Sequence, residues 1–355
     1  MKNIIILITM MFILITPQVF ASEDYTTIEG EDFFNETVTE LSSGNFSITP
    51  EKVLEYILDL LFSELSQSRS LIVSIFVISL LSGILNVIGS DKAETSSAAY
   101  FSCYALMSIA VIKLINLSVG YGTQVIEEMS TFVTRLAPML TILLVSSGYT
   151  ASASTFYPVF TSSIYLICLI IQKCIVPLIY ASCVIGIANN LSNAVQLNHF
   201  GNTLKSLSKW ILTASLTIFS GISAIYGFCT PSLDNVGIKT AKFAVGSIIP
   251  LVGNFLSESI ETVLTGTRLM KNAVGTAGII SLLVMCAVPC IKIAAIMICV
   301  KITAAIIEPI SDKKYANMLN EAAGSVTIMF ASLLCVAVLF ILSIAIIIGA
   351  TNSIT

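Results

Sequence analysis

Charge is scarce in this chain of 355 residues, since 11% of the residues are charged and 56% are hydrophobic. An average soluble domain carries about 25% charged residues. A surface so poor in charge is unsuited to water, and the lipid bilayer is the solvent that fits it. Because every backbone polar group must be satisfied inside lipid, we predict an all-α fold, a polytopic bundle of about 6–8 membrane segments in the mature chain.

Motifs for chemistry are missing as well. The chain has one histidine, His199, and none of its nine cysteines forms a CxxC pair, so a zinc site is not expected. Phosphate loops, dinucleotide fingerprints, HExxH and GxSxG are also absent. We therefore predict no catalytic residue, metal, cofactor or enzymatic activity, and no nucleic-acid partner. The cysteines are read as small buried hydrophobic residues.

The first 21 residues have the pattern of a secretory signal peptide. Lys2 supplies a short positive region, residues 4–15 are apolar, and Pro17 breaks the run before a predicted cleavage site after Ala21. The alternative is an uncleaved anchor helix, for which the apolar core is short. Cleavage leaves the mature N-terminus outside the cytoplasm.

Residues 22–69 are predicted to be an exported acidic segment. Of the 21 acidic residues, 11 lie between Glu23 and Glu64, where Lys52 is the single basic residue. Thr49 and Pro50 suit the start of a helix, and an apolar stripe follows at helical spacing, so we predict an amphipathic helix over residues 49–66. It could lie on the membrane, dock on a partner or pack on the chain's own membrane domain.

Residues 70–350 are predicted to be the polytopic membrane domain. Two of its apolar stretches, 156–188 and 274–307, are longer than a single span requires and carry Pro177 and Pro289 near the middle. Helices of that length must tilt, kink or fold back. The other predicted stretches lie at 71–89, 100–119, 131–147, 210–229, 243–264 and 326–349.

The prolines of this domain recur at a fixed distance. Pro138 and Pro250 are 112 residues apart, as are Pro177 and Pro289. We therefore predict an internal duplication of about 110 residues with interrupted or re-entrant helices, a pattern that marks substrate paths in transporters. The candidate repeats are 100–209 and 210–320, and the last span is 326–349. Chance similarity among apolar residues is the alternative.

Polar residues at membrane depth supply the candidate sites. Lys173 and Lys292 lie close to Pro177 and Pro289, and either lysine faces a pore or snorkels to the membrane surface. The candidate pore or hinge residues are Pro138, Pro177, Pro250, Pro289, Lys173 and Lys292. Small and polar residues elsewhere either line an aqueous path or pack helices together. These are Ser152, Ser154, Glu258, Glu261, Arg268, Lys271 and Asn272.

Several segments resemble the stage III sporulation protein AE family. The most specific is the run at 234–243, continued by 249–253. Others are the runs at 136–148, 210–221, 271–275 and 289–292. The resemblance covers about residues 70–350, and it implies a membrane component of the channel or transport complex between mother cell and forespore that endospore formation needs.

The resemblance also implies partners and a location. The expected partners are other stage III sporulation A-type membrane proteins, an ATPase-like cytoplasmic protein and an exported ring-forming protein. The expected location is the mother-cell membrane around the forespore, as a multi-pass protein. A channel or permease-like subunit is the leading function. A membrane scaffold for the complex and a stand-alone secondary transporter are the alternatives.

Overall fold

A computed structural model describes residues 73–81, 93–191, 198–248, 253–309 and 313–349. Every regular element in these ranges is helical, which confirms the all-α prediction. The predicted signal peptide with its cleavage at Ala21, the acidic segment with its helix at 49–66, and Pro250 lie outside the described residues.

The helices follow one another with short connections. Residues 73–81 form α1. The remaining elements are α2 (Ala93–Ser146), α3 (Thr150–Ile170), a π-helical turn (Ile171–Ile175), α4 (Val176–Leu191), α5 (Asn198–Ile248), α6 (Gly253–Ile307) and α7 (Lys313–Gly349).

Five described helical stretches are long and apolar enough to cross a membrane, and this confirms the polytopic prediction. They are Phe101–Ser146, Thr150–Asn189, His199–Tyr226, Thr262–Ile307 and Lys313–Gly349. The further predicted stretch at 71–89 is described only at 73–81.

The predicted stretches 100–119 and 131–147 are joined in α2. The residues between them are more polar but include no proline, so no residue there removes a backbone donor from the helix. The 54 residues of α2 extend for about 80 Å at ~1.5 Å per residue. Because the hydrocarbon core is about 30 Å thick, α2 must be strongly tilted or continue beyond the membrane.

Helix α7 lies at the centre of the bundle and packs against α2, α4, α5 and α6. It runs parallel to α2, because the rings of Tyr104 and Tyr315 meet at a tilt with their centroids 5.9 Å apart, and Gly122 lies directly against Met329. It runs antiparallel to α6, where Gly275 lies against Ile348. These contacts fix the relative depth of residues on the three helices.

The prolines act differently on their helices. Pro177 follows the π turn, in which the backbone N–H of Val176 bonds to the carbonyl of Ile171, so the helical hydrogen bonding changes locally at this point while the segment stays helical. Pro138 and Pro289 instead lie inside continuous α-helices. The internal duplication stays a prediction.

Candidate functional site

The predicted pore or hinge residues lie in different surroundings. Pro138, Lys173 and Pro177 are exposed, whereas Pro289 is buried. Lys292 is half-buried, and its Nζ lies 5.0 Å from the ring centroid of Tyr121 on α2, a cation–π distance. Of these six residues, the structure therefore leaves Pro138, Lys173 and Pro177 at the surface of the bundle.

Two of the predicted polar-path residues hold helix ends together. Lys271 is buried, and its Nζ donates to the carbonyls of Ile347 at 3.1 Å and Ile348 at 3.3 Å. These carbonyls end α7, where a cation opposes the negative end of the helix dipole. Arg268 lies 5.6 Å from the ring centroid of Tyr149 and donates to its hydroxyl at 3.4 Å. Both cations therefore contact residues of neighbouring elements.

The other predicted polar-path residues are distributed along the bundle. Ser152 is buried at the start of α3 and Ser154 is exposed there. Asn272 is half-buried, one residue after Lys271 on α6. Glu258 and Glu261 belong to α6, and their side chains lie outside the described part of the structure.

The turn between α2 and α3 is closed by a carboxylate that the spacing of residues did not predict. Gly148 has a φ of 87°, a left-handed conformation that favours glycine. The Asp234 carboxylate, from α5, accepts from the backbone N–H of Ala151 at 2.8 Å and of Ser152 at 2.7 Å. It satisfies the first turn of α3, as a capping side chain would. Asp234 belongs to the run that carried the family resemblance.

Replacing this carboxylate should weaken the bundle. We expect Asp234→Ala to lower the free energy of unfolding by about 1–2 kcal/mol, as for the loss of a helix cap. Thermal unfolding in detergent measures the change, with Ser154→Ala as a control at an exposed position of the same turn. Equal midpoints for Asp234→Ala and the unmodified chain would contradict the capping role.

The opposite end of the bundle is held by an ion pair. Lys205 on α5 forms a salt bridge with Glu321 on α7, and its Nζ also donates to the Glu321 carbonyl at 3.1 Å. Two glycines make room for the pair: a Cβ at Gly186 would lie 3.2 Å from Glu321, and one at Gly324 would lie 3.0 Å from Lys205. The pair therefore ties α4, α5 and α7 together.

A third group of polar residues lies on the outside of the bundle. Glu127, Thr131 and Arg135 are exposed at every fourth position of α2, so they share one side of the helix. Gln172 and Lys173 are exposed on the π turn. The two groups are neighbours, since Cys168, one turn before Gln172, lies beside Ser130 and Glu127. We call these five residues, Glu127, Thr131, Arg135, Gln172 and Lys173, the polar face.

Helix α7 shows how unusual the polar face is. It exposes Leu334, Val338 and Leu342. Because Gly122 lies against Met329 and the helices are parallel, counting onward from that contact pairs each residue with one of α2. Glu127 is level with Leu334, Thr131 with Val338 and Arg135 with Leu342. At matched depths, therefore, α7 is apolar as a lipid-facing helix should be, while α2 is polar.

The depth of Glu127 indicates that lipid is an unfavourable environment for the polar face. Leu334, its counterpart in depth, lies 15 residues before the end of α7 at Gly349, or about 22 Å along the helix. A charged side chain at the bilayer centre costs about 3 kcal/mol on insertion scales. Arg135 is nearer the end and long enough to snorkel, but a glutamate is too short. The polar face is therefore better suited to contact with water or another protein than with lipid.

The helical spacing of polar residues predicts this face, although the low hydropathy of the segment obscures the helix. Residues 120–130 separate the two predicted apolar stretches 100–119 and 131–147. They contain no proline, and the polar positions 124, 127, 131 and 135 continue the helical spacing. Reading that spacing through the connection would have placed Glu127 inside one long helix.

Long apolar helices around a central α7 define a multi-pass α-helical membrane protein. The sequence profile of stage III sporulation protein AE matches residues 33–351, and the chain belongs to that family. It is 29% identical over 318 residues to stage III sporulation protein AE of Bacillus subtilis (strain 168), covering 89% of this chain and 80% of the relative. No solved structure matches the chain. The predicted family is confirmed, and with it a role in sporulation.

Proposed function

We propose that this protein is a non-enzymatic conduit subunit of the membrane complex between mother cell and forespore, and that its polar face lines the path. The observation that carries the proposal is Glu127, exposed at a depth where α7 exposes Leu334. Charged rings and hydroxyl side chains are what aqueous paths through membranes use. If the path forms between subunits, the residues that line it are exposed in a single subunit.

The rest of the path comes from the complex. In a single chain the polar face lines one side of the proposed path. Neighbouring subunits of the complex would line the remaining sides. Other stage III sporulation A-type membrane proteins are the proposed neighbours, in the mother-cell membrane around the forespore. An ATPase-like cytoplasmic partner would supply energy. An exported ring-forming partner, on the side of the mature N-terminus, would extend the path.

Scaffolding is the second candidate function, and the two helix-locking contacts favour it. The Asp234 cap and the Lys205–Glu321 pair hold neighbouring helices in fixed positions, which suits a protein on which other subunits assemble. In that case the polar face would be covered by a partner helix, and Glu127 would bond to that helix.

Glu127→Leu tests which function holds. For a conduit, the variant assembles with its partners but lowers the yield of heat-resistant spores several-fold, because an apolar side chain dewets the wall. The matched variant Glu127→Gln keeps the side chain polar and should sporulate nearly normally. Spore counts and co-purification of the complex are measured together. If sporulation falls only as far as co-purification falls, the scaffold is correct and the conduit is not.

A further inference from the structure

A groove opens between α3, α5 and α7. Its walls are mainly aromatic and aliphatic, and they include Phe156, Phe160, Phe219, Tyr226 and Ile346. Ser163 and Ser343 also line it, but their hydroxyls donate to backbone carbonyls one turn earlier in the same helices. The surface that the groove presents to an occupant is therefore mostly apolar.

The position and size of the groove restrict what can occupy it. Its three walls belong to helical stretches that are long and apolar enough to cross a membrane, so the groove opens toward lipid. The space between the walls is about 320 Å³, including the part that is open to the outside. One turn of an α-helix, about 10 Å wide and ~5.4 Å long, fills roughly 420 Å³. The groove is therefore too small for a helix of a partner, whereas an extended hydrocarbon chain is narrow enough.

Arg268 lies beyond the groove, toward the end of the bundle where α2 turns into α3. Its guanidinium carbon is 5.6 Å from the ring centroid of Tyr149, the residue just before α3. Tyr149 and Phe156 are seven residues apart, so they lie on the same side of the chain as it enters α3. The distance between them along the helix is about 10 Å at ~1.5 Å per residue.

The contacts of α7 give the same order of depth. Nζ of Lys271, one turn after Arg268 on α6, donates to the carbonyl of Ile347, which follows the groove residue Ile346. Because α6 and α7 are antiparallel, Arg268 lies one turn further toward the end of α7 than Lys271 does. Both registers therefore place the guanidinium between the groove and the membrane surface.

The positive charge of Arg268 is not neutralised by the described residues. The side chain is half-buried, donates to the Tyr149 hydroxyl at 3.4 Å and forms no salt bridge with a described acid. Asp234 belongs to the same end of the bundle, but its carboxylate accepts from two backbone N–H groups of α3. Lys271 adds a second cation there. Two cations and one carboxylate leave a net positive charge, and arginine suits a phosphate in particular.

We propose that the groove binds one acyl chain of an anionic phospholipid whose phosphate lies at Arg268. Such a lipid joins an apolar chain and a negative group in one molecule, in the order in which the groove and the guanidinium follow each other toward the membrane surface. The bound chain fills the space between three helices, and the phosphate neutralises the cation. None of these residues belongs to the polar face, so the site is independent of the proposed conduit.

Native mass spectrometry of the full chain tests the headgroup. Phosphatidylglycerol and phosphatidylcholine with identical acyl chains compete for the purified protein, and we expect one phosphatidylglycerol to be retained several-fold more often. Arg268→Gln should remove this preference, and Arg268→Lys, which keeps the charge, should retain most of it. The control is Lys301→Gln, an exposed position near the other end of α6, which should leave the preference unchanged. Equal retention of the two lipids, or a preference that survives Arg268→Gln, would overturn the proposal.

A photoreactive lipid locates the acyl chain. Phosphatidylglycerol with a diazirine in the middle of one chain is incorporated with the protein into liposomes and illuminated, and we expect adducts on the groove segments of α3, α5 and α7. Ser223→Phe fills the groove from α5 and should lower this labelling several-fold. Thr217→Phe adds the same ring at an exposed position of α5 and should not change it. Adducts spread evenly over all the exposed helices, or labelling that Ser223→Phe leaves intact, would refute the site.

Discussion

Thr131→Trp should abolish the formation of heat-resistant spores while the protein remains in the membrane and bound to its partners. Thr131 is at the centre of the polar face, one turn from both Glu127 and Arg135, and is exposed. An indole ring there fills the space that the proposed path needs and replaces a hydroxyl by an apolar surface. We expect spore counts to fall by orders of magnitude, more than for Glu127→Leu, because the path is obstructed as well as dewetted.

Val338→Trp is the matched control. Val338 is exposed on α7 at the depth of Thr131, where lipid chains can move aside for a larger side chain. This variant should sporulate close to normally. Membrane content and co-purification of the complex are measured for both variants. Equal effects of the two tryptophans, or normal sporulation of Thr131→Trp, would contradict the proposed path.

Glu321→Ala should lower the free energy of unfolding by about 3 kcal/mol, as for other buried ion pairs that lose one partner. The side chains of Lys205 and Glu321 are 13% and 25% exposed, so water screens the pair only in part. Without the carboxylate, the Lys205 ammonium keeps a hydrogen bond to the backbone carbonyl of residue 321. Chemical denaturation in detergent micelles measures the loss.

A second variant separates the loss of the pair from a loss of packing. Lys205→Met together with Glu321→Ala removes both charges, so it should be more stable than Glu321→Ala alone. The difference is the coupling energy that a double-mutant cycle isolates. Purely additive effects of the two substitutions would show that the ion pair contributes nothing to the stability of the bundle.

Hydropathy was sufficient to predict the fold class, because lipid allows few alternatives to helices. It failed at the boundaries of elements. Residues 120–130 lie between the predicted stretches 100–119 and 131–147, yet they contain no proline, and tertiary packing against α7 keeps them helical. The low hydropathy of these residues obscures the continuity of α2, and the same low hydropathy is characteristic of the polar face. Errors of this kind are expected where a membrane helix is polar for a functional reason.

The roles of individual polar residues were less predictable. Lys271 and Arg268 were predicted to line a path or to pack, and spacing along α6 could not decide between the two. The partners of Lys271 are the last carbonyls of α7, 76 residues away in sequence, and only the folded bundle brings them near. Asp234 shows the same limit, since its partners begin α3. Spacing within one helix carries no information on such contacts.

The three groups of polar residues have different structural roles. Asp234 and Lys271 fasten one end of the bundle, and the Lys205–Glu321 pair fastens the other. The polar face lies between these two ends of the bundle. A bundle whose helices are held together at both ends can expose charged residues between those ends and keep its structure. The proposed conduit subunit requires both properties.

The central claim is that water reaches the polar face inside the membrane, and thiol labelling measures this directly. Thr131→Cys and Val338→Cys are introduced separately, and membranes of sporulating cells that hold the assembled complex are treated with a membrane-impermeant maleimide. Peptide mapping then quantifies labelling at each new cysteine. We predict rapid labelling of Thr131→Cys and none of Val338→Cys. Protection of both cysteines would mean that the polar face is covered by protein or lipid, and the conduit would be wrong.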